Sequence, residues 1–420
     1  MDTVAYVLAG GNVEGYGVLF HNRTKAALPF AGHYRIIDFA LSNLSNSNIT
    51  AVGILTQYLP ASLIEHVAGG DAWDLHGYDR MVKIMPPFVG IGQTTWFQGT
   101  SDAVYRNLNL VYDLDPEDVI ILSGEHIYQM DYNRALAFHR EHDADLTIVA
   151  LRMPREKLTL RYGYLKKDKD NRVTLFKEKP KDYLSDLVSI GIYIFKKDVL
   201  IKNLKERGET GSTQNLVFDV IEPMAAGPGV FAYEFDGYWD YLANVNHYYE
   251  TSLGLLEKDP AVKPGPWEIV TNLEDRALGY RPPLYIGPSA ETEQCLISPG
   301  CRIEGTVRNS VLSPGVEVQE GALVEDSILM HDCLIRKGAH IRGVVSDKNV
   351  LFGEDCTVGG KVKKEVRNPE LPDVPSDLTI VGKGAIIGEK VNIGGYSQVY
   401  PDMDLGNYKG TDFAPGINIR

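Results

Sequence analysis

The sequence predicts a two-part chain, an α/β domain with a mostly parallel sheet followed by a left-handed parallel β-helix. Three observations carry this expectation. Short β-branched, apolar runs alternate with helical patterns up to about residue 240. A linker rich in proline and glycine follows at 259–267. Beyond residue 280 a six-residue unit recurs.

The first strand is expected at 4–8, with others at 52–55, 119–122 and 146–150, and a helix at 132–142. In such sheets ligands bind beyond the carboxyl ends of strands, so the segments after Leu8 and Leu122 are where chemistry is expected. Residues 240–256, with apolar positions at helical spacing, read as a helix leading out of the domain. Domain boundaries are placed at 1–245, 246–280 (helix and linker) and 281–420.

The repeating units read Ser-Pro-Gly-Cys-Arg-Ile (298–303), Ser-Pro-Gly-Val-Glu-Val (313–318), Gln-Glu-Gly-Ala-Leu-Val (319–324) and Arg-Lys-Gly-Ala-His-Ile (336–341). Glycine holds the third place and an aliphatic residue the sixth. Each unit would form one side of a coil, the aliphatics stacking inside. A charged, proline-containing stretch at 361–376 interrupts them, and an antiparallel sandwich is the competing reading.

Composition narrows the function classes. The 420 residues are 44% hydrophobic and 23% charged, which is ordinary for a globular chain. A net charge of -14 argues against wrapping nucleic acid, whose phosphates need a basic field. No apolar run reaches membrane-spanning length, and no basic segment precedes the first strand, so the expectation is a cytoplasmic protein. Cys295, Cys301, Cys333 and Cys356 form no Cys-x-x-Cys pair. Zinc and disulfide roles are the sharp readings; buried apolar residues in a reducing compartment is the expected one.

The run 4–8 leads into Ala9-Gly10-Gly11, where missing side chains let backbone amides approach a phosphate. Alone this is as well explained by a tight turn. With it stand Lys25-Ala-Ala-Leu-Pro29, Tyr34-Arg-Ile-Ile-Asp38, Trp96-Phe-Gln-Gly-Thr100, Ser123-Gly-Glu-His-Ile-Tyr128, Phe176-Lys-Glu-Lys-Pro180, Ser189-Ile-Gly-Ile-Tyr193 and Gly237-Tyr-Trp239. Together these resemble the sugar-1-phosphate nucleotidyltransferases, and within them the ADP-glucose pyrophosphorylases, over nearly the whole chain.

The resemblance implies a Rossmann-like nucleotidyltransferase domain, Mg2+, and transfer of an adenylyl group from ATP to glucose 1-phosphate. It places nucleotide contacts at Leu8, Ala9, Gly10, Gly11, Gln98, Gly99 and Thr100, and sugar-phosphate contacts at Phe97, Gly163, Glu178, Lys179 and Ser189. Arg23 and Lys25 match basic residues that bind anionic effectors or support the nucleotide loop; a solvated pair is their alternative. The resemblance also implies tetramers, homomeric or mixed, and no nucleic-acid or membrane partner.

At three catalytic positions the chain departs from the pattern. The arginine of the glycine-rich loop is Gly15, and Glu14 brings an anion into that loop. The aspartate of Gly-Asp-His is Glu125, and the aspartate after Gly-Tyr-Trp is Tyr241. Glu125 and the neighbouring Asp240 are the remaining candidate metal ligands, Asp240 pointing about 100° or 180° away from its neighbour's direction. Loss of a cationic clamp and a metal carboxylate predicts a regulatory, non-catalytic subunit beside an active paralogue. The alternative is a self-sufficient glucose-1-phosphate adenylyltransferase using Glu125 and Asp240 for magnesium. An acyltransferase centre on the coil, with His331 or His340 as base, is a distant third.

Overall fold

A computed structural model describes residues 2–11, 15–88, 96–209, 214–263, 268–274, 279–363, 366–371, 374 and 377–420. Among them, nine strands form one mixed sheet: β1 (Thr3–Leu8), β2 (Ala51–Leu55), β3 (Met81–Met85), β4 (Asp118–Ser123), β5 (Leu146–Arg152), β6 (Gly163–Lys167), β7 (Val173–Glu178), β8 (Leu187–Lys196) and β9 (Val230–Phe235). They run β7-β6-β8-β4-β1-β2-β3, with β5 pairing both β8 and β9. All four strands read from the sequence are present. β1 and β4 are buried along almost their whole length, which explains their unbroken apolar runs.

Pairing is parallel among β4, β1, β2 and β3 and between β5 and β9. β8 runs antiparallel to β4, β5 and β6. Its register slips between Ser189 and Ile192, around Gly191 at φ +71. This bulge lets the first half of β8 pair with β6 and the second half with β4.

The helix expected from residue 132 spans Tyr132–Glu141, its first turn capped by Asp131, which accepts from the Asn133 N–H at 3.0 Å. The helix expected at 240–256 starts later, at Val245, where the Asn244 side chain accepts from the His247 N–H at 3.0 Å. Trp239–Asp240 instead pairs antiparallel with Ile127–Tyr128, so this backbone finds its partners in a strand.

From Tyr285 onward the chain winds as a left-handed β-helix of three parallel sheets, with six, seven and seven strands. Ile303, Val318, Ile335, Phe352 and Ile387 stack in register along one sheet, all buried. The sixth-position residues of the four units (Ile303, Val318, Val324 and Ile341) all point inward. Their third-position glycines, 300, 315, 321 and 338, have φ between +67 and +80, a corner that side chains resist. All pairings being parallel, the antiparallel sandwich is excluded. Cys301, Cys333 and Cys356 lie in this core, none of the four thiols bonded to another.

Packing divides the chain into two compact units, 1–11, 37–241 and 267–270 against 12–36, 242–266 and 271–420. Residues 12–36 thus group with the coil rather than with the sheet that precedes and follows them. The turn Gly17–Phe20 seats there: a Cβ on Gly17 would meet Gln398 Oε1 at 2.7 Å. Tyr248 Oη also donates to the Pro29 carbonyl at 2.8 Å. No helix among the described residues is long and apolar enough to cross a membrane.

Candidate functional site

On the first unit, the turn after β1 is held open by backbone. Ala9 N donates to Leu55 O at 2.8 Å, and Thr56 Oγ1 donates to Ala9 O at 3.3 Å. Gly10 has no room for a side chain, since a Cβ would stand 2.8 Å from Gln57 N. At Gly11 the same point lies 3.5 Å from Glu125 Oε1. A carboxylate therefore shares the mouth of a turn suited to phosphate, a repulsive arrangement unless a cation intervenes.

Gln57 links this turn to the second nucleotide-side segment. Its Oε1 accepts from Phe97 N at 2.7 Å and its Nε2 donates to Phe97 O at 3.3 Å. Gln98 N donates to Asp102 Oδ2 at 2.9 Å, starting the helix Thr100–Arg106. Gly99 is packed on backbone: a Cβ would fall 1.5 Å from Gln214 O. Thr100 Oγ1 accepts from Leu216 N at 2.9 Å. The expected residues from Leu8 to Gly11 and from Phe97 to Thr100 thus sit on two segments joined by one glutamine. Phe97, expected on the sugar side, belongs to this group.

Gly163, Glu178 and Ser189 come together on β6, β7 and β8, where Gly163 pairs in register with both Glu178 and Ser189. Glu178 is held by its own N–H donating to Glu222 Oε2 at 3.1 Å. Burial raises the Glu178 carboxyl above its ordinary range, with Glu222 adding to the shift and Lys179 opposing it. Lys179 sits at φ +44, and its exposed ammonium lies 3.9 Å from Glu178 Oε1. Ser189 Oγ donates to Tyr193 Oη at 3.2 Å and accepts from Gly191 N at 3.3 Å. The group has one exposed cation at its rim and hydrogen-bonding oxygens within, a fit to a sugar phosphate.

Glu125 and His126 follow β4. Trp239 Nε1 donates to His126 Nδ1 at 3.2 Å. The His126 ring meets Trp239 and Tyr241 edge-on, at 5.2 and 5.3 Å between centroids. Tyr162 closes the box, 5.5 Å from Trp239 and 6.4 Å from Tyr241. Burial first, then the charges of Glu125 and Glu178, raise the Tyr241 phenol above its ordinary value; Arg161 works the other way. Asp240 accepts from Tyr238 Oη at 3.2 Å and belongs to the short strand, and its charge helps to raise the Tyr162 phenol above its ordinary value, after burial. One carboxylate remains where the resemblance places two, because a protonated phenol is a poor ligand for a hard divalent cation. Among the described residues, no group of three His, Cys, Asp or Glu is arranged to hold a metal.

The remaining expected residues lie on the second unit. Gly15 adopts φ +89, and its carbonyl accepts from Val245 N at 3.1 Å. Glu14 lies outside the described residues. Arg23 is buried and pairs with Asp347 Oδ1 at 2.6 Å. Lys25 is buried too, its ammonium 5.9 Å from the centroid of the Tyr16 ring, so neither residue is a solvated surface cation. His331 is buried with no hydrogen-bond partner at either ring nitrogen. Burial and the charges of Arg35, Lys348, Arg281 and Arg23 hold it well below its usual pKa. A histidine so enclosed has no route to a substrate as a general base.

Sequence reasoning passed over Gln57, Tyr162, Tyr193 and Glu222. Nothing local marks Gln57 as a glutamine that grips a backbone forty positions away. Glu222 reaches Glu178 from a short helix 44 positions on, and Tyr193 meets Ser189 within their own strand across its bulge, contacts that no local pattern announces.

Residues 4–258 match the family described as nucleotidyl transferase, and 287–372 match the GlmU-like, C-terminal hexapeptide family. The chain is 36% identical over 425 residues to the glucose-1-phosphate adenylyltransferase of Acetivibrio thermocellus, covering 100% of this chain and 96% of that protein. It is 38% identical to the protein of that name from Thermosipho africanus, covering 96% and 97%. The Clostridium perfringens (strain SM101) protein is 37% identical, over 92% of this chain and 98% of its own.

Proposed function

This chain belongs to the glucose-1-phosphate adenylyltransferase family of nucleotidyl transferases, and on that premise we propose that it is a regulatory, non-catalytic member acting beside an active paralogue in ADP-glucose formation. In the family reaction a phosphate oxygen of glucose 1-phosphate attacks the α-phosphorus of ATP. The bond to the β-phosphate oxygen breaks and diphosphate leaves with its electrons. Catalysis then consists of placing two anions and neutralising charge as it shifts.

The observation that carries the reading is Tyr241, a half-buried phenol kept protonated beside Glu125. It supplies no negative charge where a second carboxylate would complete a magnesium site. Glu125 against the Gly11 turn adds repulsion that an ion would have to cancel. Gly15 brings no cation for the departing diphosphate. Mg2+, in this reading, is held weakly or not at all.

The sugar side supports retained binding, with Lys179 exposed to meet a phosphate and Glu178 and Ser189 set to meet hydroxyls. On the second unit Arg23 and Lys25 are enclosed, Arg23 paired with Asp347, so an anionic effector would be met by other residues. Such a subunit passes its signal to a catalytic partner in a mixed tetramer.

The test is an assay of the purified chain with ATP, glucose 1-phosphate and Mg2+, alone and with an active relative co-expressed. The expected result is no turnover alone and altered effector response in the pair. Turnover of about 1 s⁻¹ or faster by the lone chain, in the ordinary enzymatic range, would overturn the reading and give the metal to Glu125 and Asp240.

A further inference from the structure

One short segment of the first unit, residues 214–222, meets both groups of the site. On the nucleotide side Gln214 O lies against Gly99, and Leu216 N donates to Thr100 Oγ1 at 2.9 Å. At the other end Glu222 Oε2 accepts from Glu178 N at 3.1 Å, and Glu222 Oε1 accepts from the Lys177 ammonium.

The segment is braced along its length. Asn215 Oδ1 accepts from Val217 N at 2.9 Å and from Phe218 N at 3.2 Å, while Asn215 N donates to Asp219 Oδ2 at 2.6 Å. Val217–Ile221 then winds as a π-helix, with Val220 and Ile221 buried in the core. A wide turn of this kind is rare and frequently marks a functional site. The residue it delivers is Glu222, the first of the short helix Glu222–Met224.

Lys179 gives that delivery its purpose. At φ +44 it holds a left-handed conformation that a lysine resists, and such strain persists only where neighbours over-determine it. Two backbone bonds do so. Lys179 N donates to Tyr162 O at 3.0 Å, and the preceding N–H, that of Glu178, goes to Glu222. Glu222 also occupies Lys177, so of the two lysines flanking Glu178 the exposed Lys179 is left for a phosphate. A half-exposed ion pair with Lys177 contributes little by itself. The bond to the backbone is what bears on the site.

We infer that Glu222 is a positioning residue for the sugar-phosphate group: it fixes the strained turn that presents the Lys179 ammonium to the phosphate of glucose 1-phosphate. This rests on the reading that the group binds glucose 1-phosphate. The experiment is calorimetric titration of the full chain with glucose 1-phosphate, beside urea unfolding of each variant.

Glu222→Ala should weaken binding about tenfold, as for one lost hydrogen bond, with a urea midpoint close to the wild type's. Glu222→Gln keeps an acceptor for the Glu178 N–H and should stay within about threefold of wild type. Lys179→Ala should weaken binding about thirtyfold, and adding Glu222→Ala to it should cost less than about twofold more, because the two act through one contact. Additive losses overturn the inference, as does Glu222→Gln binding as weakly as Glu222→Ala. Wild-type binding untouched by Glu222→Ala removes the inference alone. Absence of binding by the wild-type chain removes the sugar-phosphate reading and the inference with it.

Discussion

Glu178 Oε2 lies 2.7 Å from the point where residue 163 would carry a Cβ, so Gly163 and Glu178 fit only as a pair. Their strands hold them opposite one another, and the ring of Phe176 closes the same gap at 2.9 Å. Gly163→Ala should therefore displace the carboxylate and cost about 1–3 kcal/mol of stability by overpacking. Glucose 1-phosphate affinity should fall about tenfold, as expected for one lost buried hydrogen bond. Calorimetry beside Glu178→Gln checks this: equal losses mean the glycine acts through the carboxylate.

Restoring the catalytic pattern should work at two positions and fail at the third. Glu125→Asp with Tyr241→Asp should create Mg2+-dependent ATP binding, measurable by titration with and without chelator. Gly15→Arg should cost about 1–2 kcal/mol, because φ +89 is a left-handed conformation that side chains resist. Its Cβ would also press on Asn244 Cβ at 3.3 Å. Denaturant unfolding of the single variant reads that cost.

Acid should destabilise the first unit through His139. Its Nδ1 lies 2.7 Å from Thr147 Oγ1, and burial, with Lys196 and Arg140 nearby, pushes its pKa down to about 4. A histidine with a folded pKa below its unfolded value takes up its proton more readily on unfolding. Stability is thus intact above about pH 6.5 and falls as pH drops toward 4, by up to about 3 kcal/mol. Asp118, whose carboxyl burial raises, acts in the opposite sense in the acidic part of that range. Urea midpoints across pH 4–7 should slope upward, and His139→Gln should flatten the slope.

Arg23→Ala should destabilise the second unit by about 3–5 kcal/mol, the usual cost of leaving a buried charge without its partner. Asp347 has one further donor, Lys348 N at 2.7 Å on Oδ1, which cannot replace a guanidinium. Arg23→Ala combined with Asp347→Asn should recover most of the loss. Unfolding curves of the single and double variants decide it; a mild single-variant effect would mean the pair is dispensable.

The elements were legible wherever a period or a turn residue announced them. Strand β1 and the glycine corners of the coil follow directly from Val4 to Leu8 and from Gly300 or Gly315. Asp240 was misplaced on a helix because the apolar spacing that follows it runs on without a break. The Asn244 cap that ends the ambiguity is a single side chain. Residues 12–36 carry no local sign that they group with the coil, since their partners, such as Gln398 and Asp347, lie hundreds of positions away. The site divided in the same manner: Gly10, Glu125 and Glu178 stood in motifs, whereas Gln57 and Glu222 acquire meaning only through tertiary register.

Each rung of the coil touches only the rungs above and below it, as the stacked series Ile303, Val318, Ile335, Phe352 and Ile387 shows. Its cohesion is therefore additive along an axis, like a column of coins. Splicing in one extra whole rung should lengthen the column without disturbing its neighbours, and melting should fray from the open ends toward the middle.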